Sequence, residues 1–450
     1  GSQQVDSELS LPLTGGINSK MLVDLGCQFV IVGHSEQRMH LKENNQILSD
    51  KLKTATDNNL RPIFCIGESL QQKRANQTQN ILKEQLSAIY EDILERCVIA
   101  YEPVWAIGTG ETAEIPYIEE IHSFIKDELI KKGVEPVVTL HHFCHPVWFE
   151  KIGAFEKQEN ISHLVSFSEK VFDKYSDRVK YWCTINEPGV VALQGYFTGI
   201  FPPGIQNGKM AGKVFKNLLE SHVQIYHALK KHKNGSKVKI GIVKNINQFE
   251  PWRRYHIFDW LYSILMNQIF NWATINFFKT GKLKFRAPGL MWLTHLNLKS
   301  KNSLDFFGLN YYSHNHIKFS PFKKDYSELK FYSSDTMTDM PYTIYGEGIY
   351  RAIQLVSSLN VPIIITENGV ADKDDRIRSE YISKYLYAVH KSIRDGYNVV
   401  GYYYWSLMDN FEWAFGYDMR FGLYSVDFDT QERKLREGSK AFVNIVKNEK

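Results

Sequence analysis

Apolar positions along the chain fall into two alternating patterns. Short runs rich in β-branched and aromatic residues stand at 28–32, 62–66, 98–101, 137–140, 181–186, 239–243, 306–312, 362–367 and 400–406. Between them, longer amphipathic stretches at 75–96, 115–131, 163–177, 210–231 and 378–394 read as helices. Strand then helix, repeated, is the signature of a parallel sheet with helices outside it. An open parallel sheet of this many units leaves two unpaired edges, so the expected fold is α/β, a closed (β/α)8 TIM barrel. The pattern holds nine strands where a barrel takes eight; one is surplus or wrongly assigned. The longest greasy stretch, Phe258 to Phe278, contains Asp259, Asn267, Gln268, Asn271 and Asn276. That is too polar for a membrane span and reads as a partly buried amphipathic helix.

Composition narrows the classes. With 450 residues, 43% apolar and 14% aromatic, the chain is neither disordered nor fibrous. Its 54 basic and 50 acidic residues are spread along the sequence, which excludes the basic stripe of a nucleic-acid binder. Cys27, Cys65, Cys97, Cys144 and Cys183 are odd in number and show no paired spacing. They point to a reducing compartment, so a cytoplasmic location is expected. The start carries no secretory pattern, and Gly1-Ser2 reads as a tag-cleavage scar. No metal, cofactor or membrane partner is expected.

Four motifs occupy the first part: Thr14-Gly15-Gly16-Ile17, Gly33-His34-Ser35-Glu36, Cys65-Ile66-Gly67-Glu68, and Tyr101-Glu102-Pro103-Val104-Trp105-Ala106-Ile107-Gly108-Thr109-Gly110. From about Thr14 to Ala113 the chain resembles triosephosphate isomerase. The resemblance implies that His34 is the electrophilic histidine, Glu102 the base, and Val104 to Gly110 the closing loop. That family's lysine-bearing first strand and the phosphate-holding loops of its last two strands have no counterpart, leaving about three strands of eight. His34 and Glu102 are expected to remain as barrel filler. Isomerase activity is expected to be absent, because positioning contributes about 7–11 kcal/mol to such a reaction. Isomerisation of glyceraldehyde phosphate that is lost on Glu102→Ala would overturn this.

Further on, Thr184-Ile185-Asn186-Glu187-Pro188 and Ile365-Thr366-Glu367-Asn368-Gly369 each close an apolar strand. Carboxylates at the C-terminal ends of two barrel strands point into one mouth. Such a pair suits retaining glycoside hydrolysis, in which one carboxyl attacks and the other donates a proton. From about Glu114 to the C-terminus the chain resembles the β-glucosidases of family one of the glycoside hydrolases. The resemblance implies Glu187 as acid/base and Glu367 as nucleophile, with Asn186 on the sugar 2-hydroxyl. It implies that Tyr312, in Asn310-Tyr311-Tyr312, orients the nucleophile. His142, in Thr139-Leu140-His141-His142-Phe143, becomes a hydroxyl ligand, and Cys144 beside it an unreactive residue. In Trp405-Ser406-Leu407-Met408-Asp409-Asn410-Phe411-Glu412-Trp413, Trp405 offers a flat face to the sugar, and Glu412 with Trp413 clamps its far hydroxyls. Glu412 would repel a 6-phosphate, so the expected substrate is a neutral β-glycoside.

The second segment also departs from its family. The first two strands, one bearing a hydroxyl-binding glutamine and the other an arginine near the nucleophile, should precede residue 114 and are missing. Tyr101 to Glu111 with the helix at 115–131 reads as a replacement for strand two, and 62–66 for strand one, leaving 28–32 as the extra. No linker marks the seam near residue 113. A chimera of two barrel families, made by engineering or by recombination and folded as one domain over 1–450, accounts for this. The expected activity is that of a retaining β-glycosidase, weakened by the missing strands; the alternative is a folded scaffold without useful turnover.

Overall fold

The computed structural model describes residues 1–6, 16–90, 93, 96–102, 104–106, 117, 120–121, 124–125, 128, 135–287, 291–323, 326–428, 430 and 432–448. Thr14, Gly15, Pro103, the loop residues 107–110, the seam at 113 and most of the helix expected at 115–131 lie outside these. The chain divides into two compact units, Gly1–Glu135 and Pro136–Lys450. The division falls after Glu135 because Ile121 and Ile125 are buried in the first unit's core, with Tyr117 and Phe124 packed against it.

In the first unit, strands β1 (Phe29–Val32), β2 (Arg61–Ile66) and β3 (Val98–Tyr101) form one parallel sheet in the order β1-β2-β3. Val30, Val32 and Phe64 from the sheet meet Leu48, Leu52, Leu82 and Leu86 from the helices Asn45–Asp57 and Thr78–Ser87. Each such burial stabilises the unit by about 1.5–3 kcal/mol. Within the range expected for a helix, 75–96, the structure has Thr78–Ser87, and the short helix Leu70–Arg74 precedes that range. Ser69 and Gln72 start the short helix with a capping box, and Asn76, at φ 55°, separates the two.

The second unit contains β4 (Val137–His141), β5 (Tyr181–Asn186), β6 (Lys239–Asn245), β7 (Gln248–Pro251), β8 (Lys282–Ala287), β9 (Met291–Leu296), β10 (Phe306–Asn310), β11 (His314–Phe319), β12 (Ser327–Lys330), β13 (Ile363–Asn368) and β14 (Val399–Tyr404). Six of them make a parallel sheet in the order β14-β13-β10-β6-β5-β4. All nine strands read from the sequence are therefore strands, three in one sheet and six in the other. The pattern did not reveal the β12-β11-β7 sheet, the β8-β9 hairpin or the helix Glu347–Ser357. The strand β10, Phe306–Asn310, is buried throughout, and Gly308 lets its neighbours close in: a Cβ there would stand 2.8 Å from Val243 Cγ2. Helix Gly208–Lys231 covers β5 and β6 with a stripe that includes Val214, Phe215, Leu218 and Ile225. Its buried His222 is satisfied by Thr184 Oγ1 at 2.7 Å and the Ser303 carbonyl at 2.7 Å.

Candidate active site

Both candidate glutamates follow a break in strand register. Between Cys183 and Asn186 β5 carries one residue more than its partner β6. Thr366 is likewise the extra residue that sets Glu367 opposite Asn310 on β10. A bulge of this kind re-aims the next side chain, and bulges gather beside active sites. Glu187 also takes φ 45°, ψ 61°, a left-handed conformation that costs a non-glycine residue about 1–3 kcal/mol, as it turns the chain into helix Pro188–Leu193. Its N–H donates to the Val243 carbonyl at 2.9 Å.

Asn310 stands opposite Glu367 in the strand register and hydrogen-bonds Glu187. Its Nδ2 donates to Glu187 Oε1 at 2.7 Å and to Asn186 Oδ1 at 3.2 Å. Thr366 Oγ1 fixes the amide's orientation by donating to Asn310 Oδ1 at 2.6 Å. Tyr312 Oη donates to Glu367 Oε2 at 2.7 Å. Asn186 Nδ2 donates to His142 Nε2 at 3.0 Å. The His142 ring in turn stacks on Trp405 (6.0 Å between centroids) and Trp413 (5.5 Å). The Trp405 indole N–H donates to Glu412 Oε2 at 3.4 Å. All eight residues proposed for glycoside chemistry thus meet at the ends of β4, β5, β10, β13 and β14 and in the segment after β14.

Burial dominates the electrostatics. It pushes the Glu187 carboxyl above its usual range, against the hydrogen bond from Asn310 and the charge of Lys244. Glu367 is pushed well above that range by burial and then by the negative charge of Glu187, with Tyr312 and Asn310 opposing and Glu412 adding to it. Glu412 is pushed up to about 7, chiefly by burial. Burial brings His142 down to about 4, so its ring is neutral near pH 7. Among the described residues no lysine or arginine forms an ion pair with Glu367. The fully buried Lys244 acts on Glu187 instead; its ammonium donates to the Asn245 carbonyl and lies 3.9 Å above the Phe270 ring.

Asn310 and Lys244 are the neighbours of Glu187 that sequence reasoning passed over. Asn310 had a signal, since it opens the quoted Asn310-Tyr311-Tyr312 triplet at a strand end; Lys244, inside an ordinary buried strand, had none. Asn310→Ala is expected to lower kcat/KM for a chromogenic β-glucoside about ten- to a hundredfold. A hydrogen bond to a charged group is worth about 1.5–3 kcal/mol. Unchanged kinetics would show that the Asn310–Glu187 hydrogen bond is idle.

The two isomerase-like residues are also together, in the first unit. His34 Nε2 lies 3.3 Å from Glu102 Oε1, and the Ser35 N–H donates to Glu102 Oε2 at 3.2 Å. Nearby, the fully buried Glu68 accepts from Tyr101 Oη at 3.0 Å, Trp105 Nε1 at 2.8 Å and Tyr117 Oη at 2.7 Å. Val104–Ala106 forms a single tight helical turn.

Paired carboxyls at the ends of parallel strands, beside stacked tryptophans, are the arrangement of a glycoside hydrolase of the α/β, TIM-barrel class. The model of the family described as Glycosyl hydrolase family 1 matches residues 120–450, and that of triosephosphate isomerase matches residues 1–140. The chain belongs to glycosyl hydrolase family 1. Beta-glucosidase A of Thermotoga maritima is 33% identical over 78% of this chain and 82% of its own length. A 6-phospho-beta-galactosidase of Leptotrichia buccalis is 33% identical over 75% of this chain and 81% of its own. The solved beta-glycosidase from Pyrococcus horikoshii is 36% identical, covers 77% of this chain and 79% of its own, and superposes with a TM-score of 0.65. Among the described residues no helix is long and apolar enough to cross a membrane.

Proposed function

We propose that the chain hydrolyses neutral β-glycosides with net retention at the anomeric carbon. The observation that carries this reading is the pair of buried strand-end carboxyls, Glu187 held by Asn310 at 2.7 Å and Glu367 by Tyr312 at 2.7 Å. In the first step the Glu367 carboxylate attacks the anomeric carbon while Glu187 gives its proton to the departing glycosidic oxygen. In the second, Glu187 takes a proton from water, whose oxygen displaces Glu367 and releases the sugar as the β-anomer. His142, Trp405, Glu412 and Trp413 serve as the sugar platform, and Asn186 as the partner of the 2-hydroxyl. Family membership alone does not choose between neutral and phosphorylated sugars, as the Leptotrichia relative shows. Glu412 supports the neutral choice, because its carboxyl would repel a 6-phosphate. Beside Phe143 and Trp413 lies an apolar cavity of about 500 Å³, lined also by Phe201 and Phe411, which suits an apolar aglycone.

We infer that the first 135 residues are an isomerase-derived piece in a barrel chimera; the match to residues 1–140 and the retained His34–Glu102 pair support this. Five unpaired cysteines fit a cytoplasmic location. Activity is expected to be lower than in an intact family member, since the strands bearing the glutamine and the arginine have no counterpart. A folded scaffold without turnover is the second reading, favoured by the lack, among the described residues, of a lysine or arginine paired with Glu367.

Hydrolysis of a chromogenic β-glucoside, followed by NMR of the first-formed sugar, tests the proposal. The β-anomer should appear first, and an α-anomer would sink the retaining assignment. The pH profile carries the electrostatics. Glu367 must be ionised to attack, and its folded-state pKa is raised, so activity should fall as pH drops through that raised value. The acid limb of kcat/KM should therefore lie above the ordinary carboxylate range. A limb near pH 4.3, the ordinary glutamate value of roughly that size, would count against the absence of a compensating cation.

A further inference from the structure

Helix Ile257–Asn267 is built inside out. Its buried positions are the polar residues Asp259 and Ser263, while Ile257, Phe258, Trp260, Leu261 and Ile264 stand exposed. The inward face is fixed by charge. Asp259 takes Arg253 Nη2 at 2.7 Å and Nε at 2.9 Å, and accepts the Phe319 N–H at 2.9 Å. That clasp ties the helix to β11 and leaves its apolar side facing outward, where an amphipathic helix of a folded core would face inward.

The surroundings extend the same surface. Phe258 stacks on Phe319 with centroids 5.5 Å apart, and the turn after β11 carries Phe322 at 101% exposure. Tyr255, in the turn that leads into the helix, is 94% exposed. Arg254 and Lys323 are exposed beside these side chains and make no ion pair among the described residues. Large contiguous apolar patches on soluble proteins mark interaction sites.

The shape and charge select the occupant. These side chains project as knobs at close to full exposure and line no groove, so a folded partner would need a matching cavity, whereas lipid tails conform to any knob. In a face-to-face pair of copies, Arg254 and Lys323 of both would be buried in one interface without an acidic side chain of the described patch to pair them. Exposed aromatic and aliphatic side chains beside Arg254 and Lys323 suit a bilayer interface, where the rings sit at headgroup level and the two cations meet anionic headgroups. We propose that this face seats the protein on an anionic lipid surface, with helix Ile257–Asn267 in the plane of the headgroups. Lying on a bilayer needs no spanning helix, and the proposal is independent of the glycosidase reading.

Co-sedimentation with vesicles tests it. The full chain should pellet with vesicles of phosphatidylglycerol and phosphatidylcholine in equal parts, and less with phosphatidylcholine alone. Arg254→Gln/Lys323→Gln should weaken binding to the mixed vesicles about 25-fold, fivefold for each cation removed. Ile257→Ser/Leu261→Ser/Ile264→Ser should stay in the supernatant with both vesicles while keeping its thermal midpoint. A wild-type chain that stays in the supernatant with both, or a triple variant that pellets like wild type, would overturn the proposal. So would a dimer seen by sedimentation velocity and abolished in the triple variant, because a second copy would then be the occupant.

Discussion

Glu367→Gln should lower kcat/KM for a β-glucoside by about 10⁴–10⁶-fold, the scale on which removal of a covalent nucleophile acts. The loss is chemical and not structural, because glutamine has nearly the same shape and its carbonyl can still accept from Tyr312 Oη, 2.7 Å from the native carboxylate. Stability should move the other way. In the native protein Glu367 is buried to 9% exposure, without an ion-pair partner among the described residues. Burying an uncompensated charge is costly, so a neutral amide in its place should raise the thermal unfolding midpoint. Function held at the expense of stability is a common condition of active sites. Kinetics with a scan of thermal unfolding on the same sample check both halves. An inactive variant with a lowered midpoint would indicate a damaged fold, and an active one would remove Glu367 from the reaction.

The parallel strands were legible because a strand covered on both faces reads as a continuous apolar run, as Phe306–Leu309 and Ile363–Ile365 do. The short strands Gln248–Pro251 and Ser327–Lys330 mix polar and apolar residues and carry no such run. Helix Glu347–Ser357 did have a signal, Ile349, Ala352, Ile353 and Val356 at helical spacing, which went unread. Glu187 and Glu367 were legible as strand-end carboxylates. Asn310 as a partner of Glu187 was not, because its position opposite Glu367 depends on the extra residue Thr366 in β13, a matter of register that residue types do not encode. The same holds for helix Ile257–Asn267: its apolar spacing is plain, but which face turns inward is set by the Asp259–Arg253 pair. The first compact unit runs past the seam in motif resemblance for a related reason. Motif resemblance ends near Ala113, while the packing that decides compactness continues through Ile121 and Ile125.

Glu187→Gln should separate the two half-reactions. The glutamine carbonyl can keep the hydrogen bond from Asn310 Nδ2, now 2.7 Å from Glu187 Oε1, so the site should remain assembled. What disappears is the proton. For an alkyl β-glucoside, whose departing oxygen is strongly basic, loss of general acid catalysis should cost about 10²–10⁴-fold in kcat/KM. For a nitrophenyl glucoside the leaving phenolate is stable without protonation, so the first step should be nearly spared. The second step then becomes limiting, since no base remains to take a proton from water. Glycosyl-enzyme on Glu367 should accumulate, visible as a burst of nitrophenol equal to the enzyme concentration. The pH dependence should change on one side only. In the native enzyme activity falls at high pH as Glu187 gives up its proton, so the variant should lose that basic limb and keep the acid limb set by Glu367. Stopped-flow measurement of the burst, with kcat/KM across pH for both substrates, checks every part. An equal loss on both substrates, or a basic limb that survives the substitution, would mean that another group supplies the proton.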